Sequence, residues 1–333
     1  MTACSDVQVD AGANGGANAG SEPAAIERPR YALAIHGGSG VIERGSLDPE
    51  TEAAYLRTLE EALAAGERVL EQEGTALDAV VAAIVVMEDS DLFNAGRGAV
   101  LTHEGTVELD ASLMRGEDLD AGAVAGVGRV RNPILAARAV MEHSPHVLLA
   151  GTGADTFAAE QGLELEDNTW FRTERRRQQL ERAIEQDQVR LDHDDDLGTV
   201  GAVALDVHGN LAAGTSTGGM TNKRWGRVGD SPIIGAGTYA SNASCAVSAT
   251  GHGEYFIRRT VAREVCALME YAGLDVASAA RQVVHDQLGP MGGSGGLIAV
   301  DHRGNVVLEM NTPGMYRASV RSGEDPIVAI FAR

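Results

Sequence analysis

Residues 194–219 read DDDLGTVGAVALDVHGNLAAGTSTGG, an acidic run that becomes a strand through a bare Gly198-Thr199 step. Val200, Ala202 and Ala204 alternate with Gly201, Val203 and Leu205. Both faces are therefore apolar, the pattern of a strand buried between two layers. Asp206 to Asn210 then form a hairpin turn, and LAAGTST returns as a second strand. A similar hairpin recurs at 296–310, GLIAVDHRGNVVLEM, turning at Asp301 and Gly304-Asn305. Helical stretches at about 254–272 and 275–288 lie between the two hairpins.

Upstream, RYALAIHGGSG (30–40) reads as a short apolar strand running into a glycine-rich loop. An amphipathic helix is predicted from Asp48 to Glu73, with Leu56, Leu59, Leu63 and Val69 near helical spacing. Thr75 and Asp78 make a capping box for a second, apolar helix over 76–88. TVELDASLM and GAVAGVGRV are strand candidates, and Pro133 opens a further helix, where its missing N–H does no harm. Strands and helices come in blocks, not in βαβ alternation. The expected fold class is α+β, with antiparallel sheets layered between helices. The small, polar residues 1–29 read as a disordered tail, leaving 30–333 as a single domain. Residues 152–196 are heavily charged; their middle reads as a solvated helix, and about 172–198 as a mobile surface linker.

The 333 residues carry 27 Lys and Arg against 48 Asp and Glu, a net charge of −21. Such a surface argues against nucleic acid as a partner, because phosphates select basic surfaces. The apolar run ALDAVVAAIVVM is too short to span a bilayer. Cys4, Cys245 and Cys266 are odd in number and scattered, which indicates neither a disulfide framework nor a zinc site. TAC ahead of a small-residue tether resembles the end of a bacterial lipoprotein signal, but no charged or apolar part precedes it. As written, the chain is expected in the cytoplasm. A truncated start would instead make it an exported lipoprotein anchored at Cys4.

Two nucleophiles compete on residue chemistry. A threonine hydroxyl needs a base. If Thr199 became a chain N-terminus, its own α-amine, with a pKa near ~7.7–8.0, would be that base. The same hydroxyl could free the amine by attacking the Gly198 carbonyl. Against this, a Gly-Thr step opening a strand is commonplace. GTSTG (214–218) matches G-x-S-x-G, which would make Ser216 the nucleophile of a serine hydrolase with His252 or His285 as base. That motif needs a helix after it, and GMTNKRWGRVGDSP is loop-like.

NKRWGRVGDSP (222–232) concentrates Lys223, Arg224, Arg227 and Asp230 in an acidic protein. Arg227 is suited to a carboxylate and Asp230 to an ammonium, the two charged groups of an amino acid. Thr250, Gly251 and Gly253 stand at the mouth of a helix, where N–H groups suit an oxyanion. HGGSG (36–40) and GGSGG (292–296) lack phosphate-loop spacing, and His36 reads as a packed loop histidine. MEDSDLFNAG (87–96) could wrap a cation with backbone carbonyls or simply be an unwinding helix end.

With these residues together, the chain resembles the plant-type asparaginase and isoaspartyl peptidase family of N-terminal-nucleophile hydrolases. The match runs from about residue 30 to the C-terminus and is carried by GTVGAVALDVHGNLAAGTSTGGMTNK and GRVGDSPIIGAGTYA, with LFNAGRGAV, RNPILAAR and GGSGGLIAVD. The resemblance implies a four-layer αββα sandwich. It implies cleavage between Gly198 and Thr199 into an α chain, 1–198, and a β chain, 199–333. Thr199 would be nucleophile and base, with Thr217 tuning it and Asn94 ordering water or amine. Thr250 and Gly251 would form the oxyanion hole. Arg227 and Asp230 would bind the substrate's charged ends, and Gly253 would frame the pocket. Met87, Glu88, Ser90, Phe93, Ala95 and Arg97 resemble a structural sodium loop that uses backbone carbonyls. No catalytic cofactor is implied. Small-molecule and dipeptide substrates and an (αβ)2 assembly are. Gly198, where the glycosylasparaginase branch usually has Asp, points to the asparaginase and isoaspartyl peptidase branch. A taspase-like role on the same fold is the other alternative. Arg224-Trp225 departs from the family's usual residues and leaves the substrate side-chain preference open.

Overall fold

The computed structural model describes residues 29–186 and 198–332. The tail 1–28 and most of the acidic end of the predicted linker lie outside the described residues.

The N-terminal half opens with β1 (Ala32–Gly40) and α1 (Pro49–Glu71). The glycines of HGGSG do not form a loop; they continue β1, with a register shift between His36 and Gly38. Asp48 caps α1 by accepting from Glu50 N and Thr51 N, and Pro49 opens it. Tyr55, Leu59, Ala62, Leu63, Gly66 and Leu70 form the helix's buried face. Next come α2 (Ala76–Asp89), β2 (Leu109–Arg115), β3 (Ala121–Val127) and α3 (Pro133–His143). The predicted capping box is present: Thr75 Oγ1 accepts from Asp78 N and donates to the Asp78 carboxylate at 2.7 Å. α2 is buried almost all round because α1 and the sheet enclose it.

The charged region holds β4 (Leu148–Ala150), α4 (Gly151–Glu160) and α5 (Glu174–Glu185). Here the predicted linker is corrected. Residues 174–185 are a docked helix, capped by Thr173, with Arg176 fully buried. Its charge hid the buried side chain.

The C-terminal half holds β5 (Val200–Leu205), β6 (Leu211–Thr217), β7 (Thr238–Ala240), β8 (Cys245–Gly251), α6 (Gly253–Arg259), α7 (Val261–Ala272) and α8 (Val276–Arg281). A π-helical turn, Gln282–Leu288, continues α8. Strands β9 (Gly295–Asp301), β10 (Val306–Met310), β11 (Gly314–Arg321) and β12 (Ile327–Phe331) close the chain. The single helix expected over 254–272 is broken at Thr260, which adopts a left-handed conformation with φ 50°. Both predicted hairpins turn on an aspartate. Asp206 Oδ1 accepts from His208 N and Asn210 N, and Asp301 Oδ1 accepts from Arg303 N and Asn305 N.

These strands form an eight-stranded sheet, ordered β12-β11-β1-β5-β6-β2-β3-β4, and a four-stranded sheet, ordered β10-β9-β8-β7. Among the strands of the described residues, β3 and β4 pair in parallel and the other pairs are antiparallel. One apolar cluster packs α1, α2 and α3 on the large sheet; Val200, Ala202 and Ala204 of β5 belong to it. A second packs α7 and α8 on the small sheet. A third, with Val203, Leu205, Leu211, Ala213, Ile298 and Val300, fills the space between the sheets. The result is the four-layer αββα sandwich, and strict alternation along β5 serves two of its interfaces at once. Cys245 of β8 and Cys266 of α7 form a disulfide, which corrects the reading that no disulfide was indicated. A separation of 21 residues between a strand and a helix carries no recognisable spacing motif.

Candidate active site

Thr199 stands immediately before β5, at the edge of the layer between the sheets. By strand alternation its side chain shares the inner face with Gly201 and Val203, and Thr217 of β6 lies beside it. Thr199 Oγ1 donates to Thr217 Oγ1 at 3.0 Å, and Thr217 Oγ1 also accepts from Gly219 N at 3.0 Å. A small cavity of about 20 Å³ opens at this point, room for one water molecule. Its walls bring together Asn94, Gly198, Thr199, Thr217, Arg227 and Asp230. Thr250 and Gly251 also line it, from the end of β8.

Two buried polar atoms of this cavity have no hydrogen-bond partner among the described residues: Thr250 Oγ1 and Asp230 Oδ2. Orphaned buried polar groups are costly, so these two are positions where a ligand gains most. Gly198 reaches Thr250 closely; a Cβ built on it would lie 2.9 Å from Thr250 Oγ1. It does so by passing Gly38, whose φ of +112° and lack of a side chain let the two backbones slide over one another.

Burial pushes the Asp230 carboxyl up to about 7, against the opposing pull of the Arg227 guanidinium. Arg227 does not pair with Asp230 in the hydrogen-bond network. Its Nε and one terminal nitrogen donate to Glu254 at 3.0 and 3.1 Å, a bidentate grip. The other terminal nitrogen lies toward Gly219 and Gly229 on the cavity wall. Glu254 was missed by sequence reasoning; an acid in the first turn of α6 looks like ordinary helix chemistry. Gly253 lies against both Arg227 and Asp230, since a Cβ there would meet each at 2.9 Å. Lys223 is fully buried and donates to Glu108 O at 2.8 Å; burial lowers its pKa. Arg224 O closes the turn by accepting from Arg227 N, and Trp225 is 94% exposed.

Asn94 is tied at both ends of its side chain. Nδ2 donates to Gly219 O at 2.8 Å and Oδ1 accepts from Val100 N at 3.0 Å. Its loop is held from outside by α5. Arg175 donates to the carbonyls of Asp91 and Leu92, and Arg176 Nε donates to Gly98 O at 2.6 Å. Arg97 donates to Trp170 O and stacks on the Trp170 ring.

Ser216 points to the opposite side of β6 from Thr217. It is fully buried and donates to Glu88 Oε1 at 2.6 Å. His252 lies 3.3 Å from Glu254 and His285 2.8 Å from Glu309, so neither is the base of Ser216. This corrects the serine-hydrolase alternative: Ser216 lies within a strand, and no helix follows it. Glu88 also accepts from Ile134 N at 3.0 Å, capping α3, and burial pushes its carboxyl up to about 8. Among the described residues, no helix is long and apolar enough to cross a membrane.

A family model described as asparaginase matches residues 29–330. The isoaspartyl peptidase of Salmonella typhimurium is 53% identical over 306 residues, covering 90% of this chain and 98% of that protein. The isoaspartyl peptidase of Escherichia coli is 52% identical over 306 residues, covering 90% and 95%. The isoaspartyl peptidase/L-asparaginase of Xenopus laevis is 41% identical over 292 residues, covering 88% and 93%. The chain therefore belongs to the plant-type asparaginase and isoaspartyl peptidase family of N-terminal-nucleophile hydrolases.

Proposed function

We propose that this protein is a self-cleaving threonine amidohydrolase that releases L-aspartate from β-aspartyl dipeptides and L-asparagine. The names of its relatives support the substrate class. One observation carries the site assignment. The Thr199–Thr217 hydroxyl pair lies in a cavity whose Asp230 and Thr250 each present a buried polar atom with no partner among the described residues.

In the uncut chain, Thr199 Oγ attacks the Gly198 carbonyl carbon. The C–N bond breaks as the nitrogen takes the hydroxyl proton, leaving an ester. Water opens that ester, giving the Gly198 carboxylate and a free Thr199 α-amine. In turnover, this amine takes the Thr199 hydroxyl proton as Oγ attacks the substrate's side-chain carbonyl. The oxyanion faces the Thr250 hydroxyl and the Gly251 N–H. The amine then delivers its proton to the leaving ammonia or amino acid. Water hydrolyses the acyl-enzyme and aspartate departs. Arg227 takes the α-carboxylate and Asp230 the α-ammonium. Gly253 leaves the space both need, and Asn94 fixes the loop beside the nucleophile.

The loop with Met87, Glu88, Ser90, Phe93, Ala95 and Arg97 would hold a structural Na+ through backbone carbonyls. Glycines 96 and 98 support that fit, because a Cβ at either would overlap the Glu88 or Phe93 carbonyl oxygen. Uncharged oxygen donors suit a hard monovalent ion. A higher melting temperature in sodium than in choline chloride is the expected result. The mature protein would be an (αβ)2 assembly, checked by sedimentation.

The deciding experiment combines a denaturing gel, N-terminal sequencing of the smaller band, and an assay on β-Asp-Leu and asparagine. The wild-type chain should give a fragment beginning at Thr199 and release aspartate. Thr199→Ala should give one uncut band and no activity. Full activity from an intact chain would overturn the mechanism.

A further inference from the structure

In the layer between the two sheets, one row of buried polar side chains lies just beneath Thr199. On the large sheet, His36, Gly201, Thr215 and Ser112 are successive register partners across β1, β5, β6 and β2. On the facing sheet, Ser248 of β8 is the register partner of Thr238 of β7. All five side chains of this row are fully buried. They connect by crossing from sheet to sheet. The His36 ring meets Thr199 O at 2.9 Å through Nδ1 and Ser248 Oγ at 2.9 Å through Nε2. Ser248 Oγ lies 2.7 Å from Thr215 Oγ1, and Thr238 Oγ1 donates to Thr215 Oγ1 at 2.5 Å. Ser112 Oγ reaches Thr238 Oγ1 at 2.8 Å and Ser231 O, next to Asp230, at 2.5 Å.

Gly201 makes the row possible. A Cβ at that position would overlap both Ser248 Oγ and His36 Nε2, so the missing side chain is the gap through which β8 touches β1. That accounts for a glycine inside a fully buried strand, where it otherwise weakens packing.

Proton counting gives the row one direction. Burial pushes the His36 imidazole down to about 3, so it is neutral at working pH and carries one N–H. Thr199 O can only accept, so that hydrogen is on Nδ1. Nε2 then accepts, and the Ser248 hydroxyl must donate to it. Thr215 Oγ1, which has one hydrogen for Ser248 Oγ at 2.7 Å or Gly237 O at 3.2 Å, favours the shorter contact and donates to Ser248, and Thr238 donates to Thr215.

We propose that Ser248 is a positioning residue that, by donating to His36 Nε2, holds the ring in place and through the His36 N–H fixes the carbonyl and backbone of the nucleophile Thr199. This rests on the reading of Thr199 as nucleophile. At metal-bound histidines, losing the outer partner of the ring costs about 10–100-fold in affinity or activity, and an effect on that scale is expected here. The same row ends beside Asp230, so the nucleophile and the ammonium clamp share one rigid support.

The test combines a spectroscopic and a kinetic readout on the mature enzyme. With nitrogen-15-labelled histidine, the His36 ring, assigned by its loss in His36→Asn, should show a protonated Nδ1 and a bare Nε2 across pH 6–8. Ser248→Ala leaves Nε2 without its donor, so it should shift the Nε2 resonance and lower kcat about tenfold or more, with KM within about twofold. His36→Asn keeps a donor in the Nδ1 position without needing Ser248. The double variant should therefore lose no more than His36→Asn alone, a strong coupling in a double-mutant cycle. Ser248→Cys, of similar size but a weak donor, keeps the test open if the alanine variant does not fold. A hydrogen on Nε2 in the wild type, unchanged kcat in Ser248→Ala, or simply additive losses would overturn the proposal. The tautomer readout needs no turnover, so it separates this failure from failure of Thr199 as nucleophile, which Thr199→Ala reports.

Discussion

Asp230 should make aspartate binding pH-dependent in one direction. Its carboxyl is fully buried and titrates at about 7. The carboxylate, not the acid, attracts an α-ammonium, so affinity should rise with pH through 7 and level off above it. At pH 5.5, about 3% of a group with that pKa is ionised, against about 90% at pH 8. The dissociation constant of L-aspartate should therefore be about 30-fold weaker at pH 5.5, close to 2 kcal/mol. The ligand's own carboxylates titrate near ~3.9 or below and its ammonium stays charged, so neither contributes in this window. Glu254 is pushed up by burial and pulled down more strongly by Arg227, so it is ionised across the range. Asp110 is buried beside Lys223 and shifted upward; Asp110→Asn should leave the pH slope in place. Titration calorimetry of the cut enzyme with L-aspartate at half-unit steps from pH 5.5 to 8 reads this out. Asp230→Asn should bind weakly and lose the rise through pH 7, leaving only the change that the Thr199 α-amine, near ~7.7–8.0, makes toward pH 8. A wild-type constant that does not move over this range, or an unchanged slope in Asp230→Asn, would refute the reasoning.

The remaining expectations are shorter. Glu254→Ala removes the bidentate holder of Arg227 and should raise KM by about 5–10-fold with little change in kcat, as steady-state kinetics will show. Arg176→Ala strips a buried guanidinium from Gly98 O and should cost about 3 kcal/mol in denaturant unfolding. Glu88 titrates at about 8 instead of the usual 4.5. Its contribution to stability is therefore complete below pH 4.5 and lost as pH rises through 8, and Glu88→Gln should flatten that part of the melting-temperature profile. Reducing Cys245–Cys266 frees two residues 21 positions apart and should lower stability by about 3 kcal/mol in denaturant titrations with and without reductant.

Local patterns carried much of this structure in plain view. The period-two run from Val200 to Leu205 announced a strand between two layers because each residue there serves one of two apolar faces. Thr75 and Asp78 announced the start of α2 because their bonds are local. What stayed hidden depends on partners distant in the chain. Glu254 is recognisable as Arg227's holder only once α6 lies against the 222–232 loop. Ser248 and His36 are 212 residues apart, and nothing in either neighbourhood signals their bond. The helix expected in the charged region is α5, but its docking is hidden because its buried cation, Arg176, sits among exposed charges that dominate the composition. The glycines of HGGSG suggested a loop, yet two of them are spaces inside β1 that other backbone or side-chain atoms occupy.

The strand order has a consequence for recovery from unfolding. A cut after Gly198 assigns β1, β2, β3 and β4 to one polypeptide and the remaining strands to the other. In the large sheet, β1 is then threaded between β11 and β5, both from the other piece. Neither fragment owns a closed half of the sheet, so a denatured mature enzyme must regain its shape by collision of two molecules. Renaturation should be second order in protein and fail on dilution, while Thr199→Ala, still one molecule, recovers at a rate independent of concentration.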